Sequence, residues 1–406
     1  MAGSILLIAT LDTKAQELAY VRQLIHERNH RTIVLDAGVL GPPGFAPDIA
    51  ADDVADAAST SLAELRARGD RGAALEAMTR GVATVAQQVH AEGRIDGVLG
   101  IGGSCGTAIA TAAMRALPIG LPKVMVSTVA AGQVAPYVGV SDIAMLYPVV
   151  DIAGLNRISR RILANAAGAV CGMVEQPTPR SDDRPLMAAT MFGVTTPCVE
   201  RVRQRLEAAG FEVLVFHATG SGGRAMEQLI AAGFIAGVAD VTTTEWADEL
   251  VGGVLTAGPE RLEAAGRAGI PQVVSVGALD MVNFGPRATV PTQFAGRRLH
   301  VHNPSVTLMR TTPEECAALG AIIARKLNAS RGPTRLLLPL RGVSAIDREG
   351  QPFHDPAADA ALFTALKRHA AANVAVRELD LHINDPDFAD AIAAELLHSS
   401  HAVSGT

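Results

Sequence analysis

Short apolar runs alternate with helical segments along the chain, and this alternation constrains the fold more than any other sequence feature. Ile5–Ala9, Gly97–Ile101 and Gln272–Val276 are examples, and each is followed by glycine or threonine. Continuous apolar runs of this length are typical of parallel strands covered on both faces. Between them lie segments with helical periodicity, such as the one that carries Leu18 and Ile25. The sequence therefore predicts an α/β fold with mainly parallel sheets flanked by helices.

The length of the chain and one polar segment together predict two domains. A chain of 406 residues exceeds what one hydrophobic core usually serves, because domains commonly hold ~100–200 residues. Residues 176–184 are rich in proline and charge, which is the composition of a linker. We therefore expect two Rossmann-like lobes, residues 1–180 as a nucleotide-binding domain and residues 181–406 as a substrate or partner domain.

Composition argues against several classes of partner. The formal net charge is −6, so we expect neither nucleic acid nor an anionic membrane as the main partner. The four cysteines lack C-x-x-C spacing, and the amino terminus lacks the basic start of a signal peptide. Every apolar stretch of membrane-spanning length is interrupted by glycine, proline or charge. These features predict a cytoplasmic protein.

Residues Gly100–Thr107 form the strongest candidate for a ligand site. They read Gly-Ile-Gly-Gly-Ser-Cys-Gly-Thr, after an apolar run and before a segment rich in small residues. Glycines let the backbone approach an anion closely, and the free N–H groups of a first helical turn favour negative charge. The predicted phosphate contacts are Gly102, Gly103, Ser104, Gly106 and Thr107. The loop has no Walker lysine and no regular G-x-G-x-x-G, so a tight βα turn with a serine cap is the alternative.

Polar residues after neighbouring strands should meet this loop, because the carboxyl ends of parallel strands share one edge of a sheet. Lys14 could neutralise phosphate, and Asp36 could accept a hydrogen bond from a ribose hydroxyl. Asp12 could help to hold Mg²⁺. Thr13 and Thr128 are further candidates for nucleotide contacts. The alternative for Asp12 and Thr13 is that they only cap a helix.

The second half of the chain carries weaker signals. Gly220–Ala225 follows a predicted strand, and Asp240 lies about where a Rossmann fingerprint has its ribose-binding acid. That match is irregular, because the loop follows the second strand of the lobe. Polar residues near other strand ends could handle a small acidic metabolite by acid–base chemistry. These candidates are His217, Arg224, Glu245, Asp280, His302 and Arg341. For His302, a hydrogen-bonded core position is the alternative.

Several longer motifs resemble one family, that of the ATP-binding domain of a plant resistance protein against tomato mosaic virus and its bacterial homologues. The motifs are Ile8–Lys14, Leu35–Gly38, Gly100–Thr107, Val276–Asp280, His302–Pro304, Thr307–Thr312 and Pro339–Asp347. The resemblance covers nearly the whole chain. It implies two Rossmann-like lobes, ATP with Mg²⁺ in the first lobe, and a homodimer or larger homo-oligomer. Viral inhibition is not carried over.

Three functions are compatible with these expectations. The first is an ATP-dependent transferase, ligase or hydrolase that acts on a small acidic metabolite at a cleft between the lobes. The second is a nucleotide-sensing protein without turnover. The third is an NAD(P)-dependent oxidoreductase that uses Gly220–Ala225 and Asp240.

Overall fold

The structure is a computed structural model that describes residues 2–177 and 184–404, with side chains to residue 400. The chain divides into two compact units, Met1–Ser181 and Asp182–Thr406, called unit 1 and unit 2 below. The predicted lobe boundary at residue 180 lies outside the described residues. Each unit contains a parallel sheet flanked by helices, so the predicted fold class is confirmed.

Unit 1 is built from alternating strands and helices. Its strands are β1 (Ser4–Ala9), β2 (Arg31–Asp36), β3 (Gly97–Gly102), β4 (Lys123–Ser127) and β5 (Ala144–Leu146). Its helices are α1 (Ala15–Glu27), α2 (Ala51–Ala57), α3 (Leu62–Arg68), α4 (Arg71–Ala91), α5 (Ser104–Ala116), α6 (Ala135–Val138) and α7 (Arg157–Glu175). The strands are all parallel, in the order β2-β1-β3-β4-β5. The order reverses between β1 and β3, which therefore flank the topological switch point.

Both faces of the unit 1 sheet are covered, as the continuous apolar strands predict. In β1, Leu6 and Ile8 pack into a core with α2 to α5, whereas Ile5 and Leu7 pack into a second core with α1 and α7. All four side chains are at most 1% exposed. Full burial of such a side chain contributes ~1.5–3 kcal/mol, so β1 is firmly held and fixes the position of the loop that follows it.

Unit 2 has a larger set of elements. Its strands are β6 (Leu186–Met191), β7 (Glu212–His217), β8 (Ile235–Thr242), β9 (Gln272–Gly277), β10 (Met281–Phe284), β11 (Leu299–Asn303), β12 (Val306–Arg310), β13 (Thr334–Pro339) and β14 (Val374–Leu379). Its helices are α8 (Thr196–Ala208), α9 (Ser221–Ala231), α10 (Glu245–Val251), α11 (Ala264–Ala268), α12 (Pro313–Asn328), α13 (Pro356–His369) and α14 (Pro386–Ser404). The order β14-β13-β9-β8-β6-β7 forms a parallel sheet.

The two sheets share one strand order. Read from β7, unit 2 runs β7-β6-β8-β9-β13-β14, which is the unit 1 order with one strand added. Strand β8 therefore takes the place in unit 2 that β3 takes in unit 1. A glycine loop follows β3, whereas Thr243, Thr244 and Glu245 follow β8. The switch points of the two units thus carry different chemistry.

The structure corrects the sequence prediction at two places. A small antiparallel sheet in the order β10-β12-β11 was not predicted, and His302 lies inside its exposed hairpin rather than at a parallel strand end. The hairpin turns at Asn303, whose side-chain Oδ1 accepts from the Ser305 N–H at 2.8 Å. Strand β5 ends at Leu146, two residues before Pro148, which cannot donate to a ladder.

In the described part of the chain, each helix is too short or too polar to span a lipid bilayer.

Candidate functional site

The switch point of unit 1 places two loops side by side. Strands β1 and β3 pair directly, with Ile8 opposite Gly100. The loops that follow them, Thr10–Lys14 and Gly102–Cys105, therefore leave the sheet at the same edge. Ligands of open α/β sheets bind in the crevice at such a position.

Helix α5 begins at this crevice without a side-chain cap. Its N-cap residue is Gly103, and the first backbone bond of the helix runs from the Thr107 N–H to the Gly103 carbonyl at 2.8 Å. Within residues 2–177 and 184–404, the N–H groups of Ser104, Cys105 and Gly106 have no acceptor. Unpaired N–H groups at the positive end of a helix dipole attract an anion.

Helix α1, on the other side of the switch point, also lacks a side-chain cap at its N-cap residue, Lys14. Three other helices of unit 1 are capped, by Ser61 at α3, Asp70 at α4 and Asn156 at α7, whereas α2 and α6 also begin without a side-chain cap. Of the four uncapped helices, α1 and α5 begin at the switch point, where a ligand is expected.

The two central glycines have different roles. A Cβ on Gly102 would lie 2.7 Å from the Gly106 Cα, so only glycine fits there and lets the chain turn into α5. A Cβ on Gly103 would meet nothing nearer than the Thr128 Oγ1, at 3.8 Å. Gly103 therefore faces open space that is bordered by Thr128, one of the predicted contact residues.

Two cations border the crevice. The Lys14 Nζ donates to the Ile152 carbonyl and has no carboxylate partner in the described part of the chain. The Arg71 guanidinium lies 3.4 Å from the Cys105 Sγ, beside the uncapped turn of α5. Lys14 was predicted, whereas Arg71 was not, because it begins a helix far upstream of the glycine loop and no motif marks it.

Asp36 joins the loop after β1 to the loop after β2. Its Oδ1 accepts from the Leu11 N–H and the Gly38 N–H, both at 2.8 Å. Burial raises the pKa of this carboxyl above its ordinary value. Asp36 also lines a cavity of about 440 Å³ whose walls combine leucine, proline, alanine and glycine with the charged side chains of Asp52 and Arg66. This cavity lies beyond the end of β2, next to the switch point.

The remaining predicted residues of unit 1 divide into exposed and supporting ones. Ser104 and Thr13 are exposed, and the Thr13 Oγ1 lies 2.8 Å from the Thr10 Oγ1. Thr107 has no exposed surface, and its Oγ1 lies 2.6 Å from the Ser127 Oγ. Thr107 is therefore placed to support the loop from behind rather than to contact a ligand with its hydroxyl.

Asp12 faces the loop after β2. Its Oδ2 accepts from the Leu40 N–H at 2.8 Å. Its Oδ1 is buried without a partner in the described residues, and a Cβ on Gly38 would lie 2.9 Å from it. Since both oxygens are turned toward residues 38–40, the carboxylate holds that loop. This orientation fits the predicted Mg²⁺ ligand poorly.

The glycine loop of unit 2 already holds an anion, supplied by the protein. The Glu245 Oε1 accepts from the Gly220 N–H at 2.7 Å and from the Gly223 N–H at 3.1 Å. The Glu245 Oε2 accepts from the Arg261 Nε at 2.7 Å, and Arg261 also binds both oxygens of Asp240. Glu245 is 1% exposed and Asp240 is 2% exposed. They are thus placed as buried structural anchors rather than as the predicted catalytic and ribose-binding acids.

This arrangement predicts that NADH does not bind at Gly220–Ala225. The negative charge of a pyrophosphate would have to displace Glu245 from its two N–H donors and from Arg261. We therefore expect no saturable change of NADH fluorescence on titration with the full chain. Saturable binding that is lost in an Arg224→Ala variant would contradict this assignment.

The other predicted residues of unit 2 make separate contacts. His217 ends the edge strand β7 and packs on the Phe192 ring, with ring centroids 5.4 Å apart. Arg224 is exposed in the first turn of α9, and His302 is exposed in the hairpin. Arg341 forms a two-point pair with Asp380, at 2.8 and 2.6 Å. Among the described residues, no hydrogen bond or ion pair joins any two of the six predicted catalytic residues.

Asp280 belongs to a buried group of carboxylates near the carboxyl ends of β9 and β13. Its Oδ2 accepts from the Ser344 Oγ at 2.8 Å, and its Oδ1 has no partner in the described chain. Asp347 and Asp359 complete the group, and the Arg310 guanidinium lies 3.3 Å from one and 2.7 Å from the other. Burial raises the pKa of all three carboxyls, and the negative neighbours Asp280 and Asp359 raise that of Asp347 further.

This group of carboxylates contains one cation for three acids. A buried charge is tolerated only when it is paired, so at neutral pH the excess acids are expected to hold protons. Among the described residues, no set of three or more His, Cys, Asp or Glu side chains is arranged to hold a metal ion. The sequence pointed to Asp280 alone, because nothing local connects it with residues 310, 347 and 359.

The sequence of the chain matches the two domain models of one protein family. Residues 3–179 match the N-terminal domain, and residues 184–400 the C-terminal domain, of the uncharacterised protein family UPF0261. The chain belongs to the UPF0261 family. A UPF0261 protein of Clostridium tetani is 51% identical over 98% of this chain and 99% of its own length. One of Rhizobium meliloti is 50% identical over 96% of this chain and 97% of its own length.

The UPF0261 relatives include a plant protein. The ToMV resistance protein Tm-1(GCR237) of Solanum lycopersicum is 46% identical over 81% of this chain, which spans 45% of the tomato protein. The predicted relation to the plant resistance protein and its bacterial homologues is therefore confirmed, whereas these similarities do not show an ATP-binding domain. Family membership does not establish nucleotide binding, which depends on the geometry of unit 1.

Proposed function

We propose that this UPF0261 protein binds a nucleotide in unit 1, with ATP as the leading candidate. The observation that carries the proposal is the uncapped start of α5 at the switch point of the sheet. Three N–H groups there lack acceptors among the described residues, and phosphate oxygens are the anions that such a turn binds best. Gly103 leaves room for the phosphate to approach.

The surroundings of α5 suit the rest of a nucleotide. Lys14 and Arg71 supply positive charge on two sides of the phosphate position. The cavity beside Asp36 has leucine and proline in its walls against which a base could pack, and Asp36 in the same lining supports a contact to a ribose hydroxyl. This combination favours a nucleoside phosphate over a free inorganic anion.

Mg²⁺ would accompany ATP to this site. Magnesium is commonly held by substrate phosphates, waters and one or two carboxylates. Because Asp12 is turned toward residues 38–40, we assign the phosphates and not Asp12 as the main ligands. We therefore expect Mg²⁺ to bind with the nucleotide and not before it.

Two outcomes of nucleotide binding are proposed. The first is an ATP-dependent reaction on a small acidic metabolite, and the second is nucleotide sensing without turnover. The absence of direct contacts among His217, Arg224, His302 and Arg341 in the described chain favours the second over a reaction that uses those residues together. Release of inorganic phosphate from ATP, measured with a panel of small acids, separates the two.

Lys14→Ala tests the phosphate position. Loss of one charge-assisted contact of ~1.5–3 kcal/mol should weaken ATP binding at least about tenfold. The matched control is Lys367→Ala, which removes an exposed lysine of unit 2 that pairs with Glu378. Calorimetric titration with ATP and Mg²⁺ checks both variants. Equal affinity in the wild type and the Lys14 variant would remove Lys14 from the site.

A further inference from the structure

A cavity of about 640 Å³ lies at the carboxyl ends of β13 and β14 in unit 2. Its walls come from the loops after these strands and from the first turns of α13. The polar residues used below are Arg341, Arg348, His354, Asp359, His382 and Asp385. Its size is that of a small-molecule site, and the end of parallel strands is where such sites are found.

Asp359 belongs both to the wall of this cavity and to the buried group of carboxylates. The Asp359 side chain is 10% exposed, whereas Asp347 behind it is fully buried. Arg310 donates to the Asp359 Oδ1 at 2.7 Å. The group holds more acids than cations, and burial raises the pKa of both Asp347 and Asp359, which favours protonated carboxyls at the boundary between core and cavity. Similar pairs of carboxyls serve as proton donors and acceptors in enzymes.

The rim of the cavity carries two guanidinium groups in weak pairs. Arg341 pairs with Asp380 while the two side chains are 64% and 72% exposed. Arg348 contacts Asp385 at 3.0 Å, and the side chains of Arg348 and Asp385 are 54% and 31% exposed. Exposed pairs contribute little to stability, so an incoming oxyanion can replace the aspartate on either arginine.

The two histidines of the cavity differ in availability. Both ring nitrogens of His382 are used, because Nε2 lies 2.9 Å from the Ser344 carbonyl and Nδ1 accepts from the Asn384 N–H. The His354 Nδ1 is buried and has no partner in the described residues. His354 therefore offers a free polar atom within the lining, while His382 fixes the loops.

We propose that this cavity binds a small molecule with a carboxylate or phosphate group, held by Arg341 and Arg348, and that Asp359 exchanges a proton with it. The site is distinct from the nucleotide site of unit 1. Donation breaks the O–H bond of the Asp359 carboxyl and forms a bond from the same hydrogen to a ligand oxygen or nitrogen. The carboxylate that remains is stabilised by Arg310, and Asp347 supplies the next proton.

The groups that face this acid pair come from several elements. They are Arg310 on β12, Cys316 on α12, Asp280 after β9, Asp355 before α13, and His354 and Glu349 near the cavity. Burial lowers the pKa of His382, which stays neutral near pH 7. The carboxyl pair is therefore the group expected to titrate on ligand binding.

The first test measures oxyanion binding to the full chain by thermal unfolding, with inorganic phosphate and succinate as separate probes. We expect at least one probe to raise the unfolding temperature of unit 2, read by the fluorescence of Trp246, the only tryptophan of the chain. In the double variant Arg341→Gln, Arg348→Gln, apparent affinity should fall at least about tenfold. Arg377→Gln, an exposed arginine that pairs with Glu395 outside the cavity, is the matched control.

The second test follows the pH dependence of probe affinity. An anion binds more weakly once the acid pair loses its proton, so affinity of the wild type should fall as pH rises. Asp359→Asn should flatten this profile and Asp347→Asn should reduce its slope. Both variants remove an excess acid, so folding should survive, and unfolding without probe verifies this.

Several results would contradict the proposed role of this cavity. If neither probe stabilises the wild type, or if the double arginine variant keeps wild-type affinity, the cavity is not an oxyanion site. If Asp359→Asn keeps the wild-type pH profile, Asp359 does not exchange the proton. A Gly103→Val variant should keep the wild-type shift of the Trp246 unfolding transition with these probes, so failure here is separate from failure of nucleotide binding.

Discussion

Replacing Arg261 with methionine is expected to destabilise unit 2 by about 3–5 kcal/mol. The Arg261 side chain is 1% exposed and lies within 3.3 Å of the carboxylates of Asp240, Glu245 and Glu227. Without it, three acids remain in the interior with no cation. Urea unfolding followed by Trp246 fluorescence measures the loss, because this single tryptophan lies in unit 2.

The stability lost in the Arg261→Met variant should depend on pH, because unpaired buried acids cause the loss. Burial raises the pKa of Glu227, and the variant removes the Arg261 charge that opposes this rise, so folded Glu227 binds a proton that the unfolded chain does not. The stability of the variant therefore recovers as pH falls, and the difference from the wild type shrinks. Arg267→Met, which removes a 63% exposed partner of Glu263, is the control and should cost no more than about 1 kcal/mol. Equal losses in both variants would contradict the buried network.

Gly103→Val is expected to weaken ATP binding at least about a hundredfold. The branched side chain would occupy the space in front of the α5 turn and exclude phosphate from at least two N–H donors, each worth ~1.5–3 kcal/mol. The fold should persist, because the nearest atom to a Cβ at this position is 3.8 Å away. Titration calorimetry with ATP and Mg²⁺ measures the loss.

Gly168→Val is the matched control for this variant. It makes the same change in α7, where a Cβ would meet nothing within 4 Å. Affinity and unfolding temperature should resemble those of the wild type. Wild-type ATP affinity in the Gly103 variant would remove the glycine loop from the site.

Much of the fold could be predicted because its signals are local. Apolar runs such as Gly97–Ile101 mark buried strands, and Asp355 and Asp385 before proline mark the starts of α13 and α14. The antiparallel sheet escaped prediction because β10 has only four residues and follows β9 closely. Its pairing with β12 depends on contacts distant in sequence.

The candidate sites were predicted only in part for the same reason. Gly103 and Lys14 lie in short motifs that identify them directly. Arg71 beside Cys105, and Glu245 on the N–H groups of Gly220 and Gly223, are contacts between distant segments. A glycine loop has the same local pattern whether its donors are free or already bound to a carboxylate, so sequence alone could not separate the two loops.

Amide hydrogen exchange at the start of α5 tests the central claim most directly. The N–H groups of Ser104, Cys105 and Gly106 lack acceptors in the described chain, so phosphate binding should slow their exchange when ATP and Mg²⁺ are added. The Gly220 and Gly223 amides, already bonded to Glu245, should not change. Unchanged exchange at residues 104–106 under saturating ATP would contradict nucleotide binding at this turn.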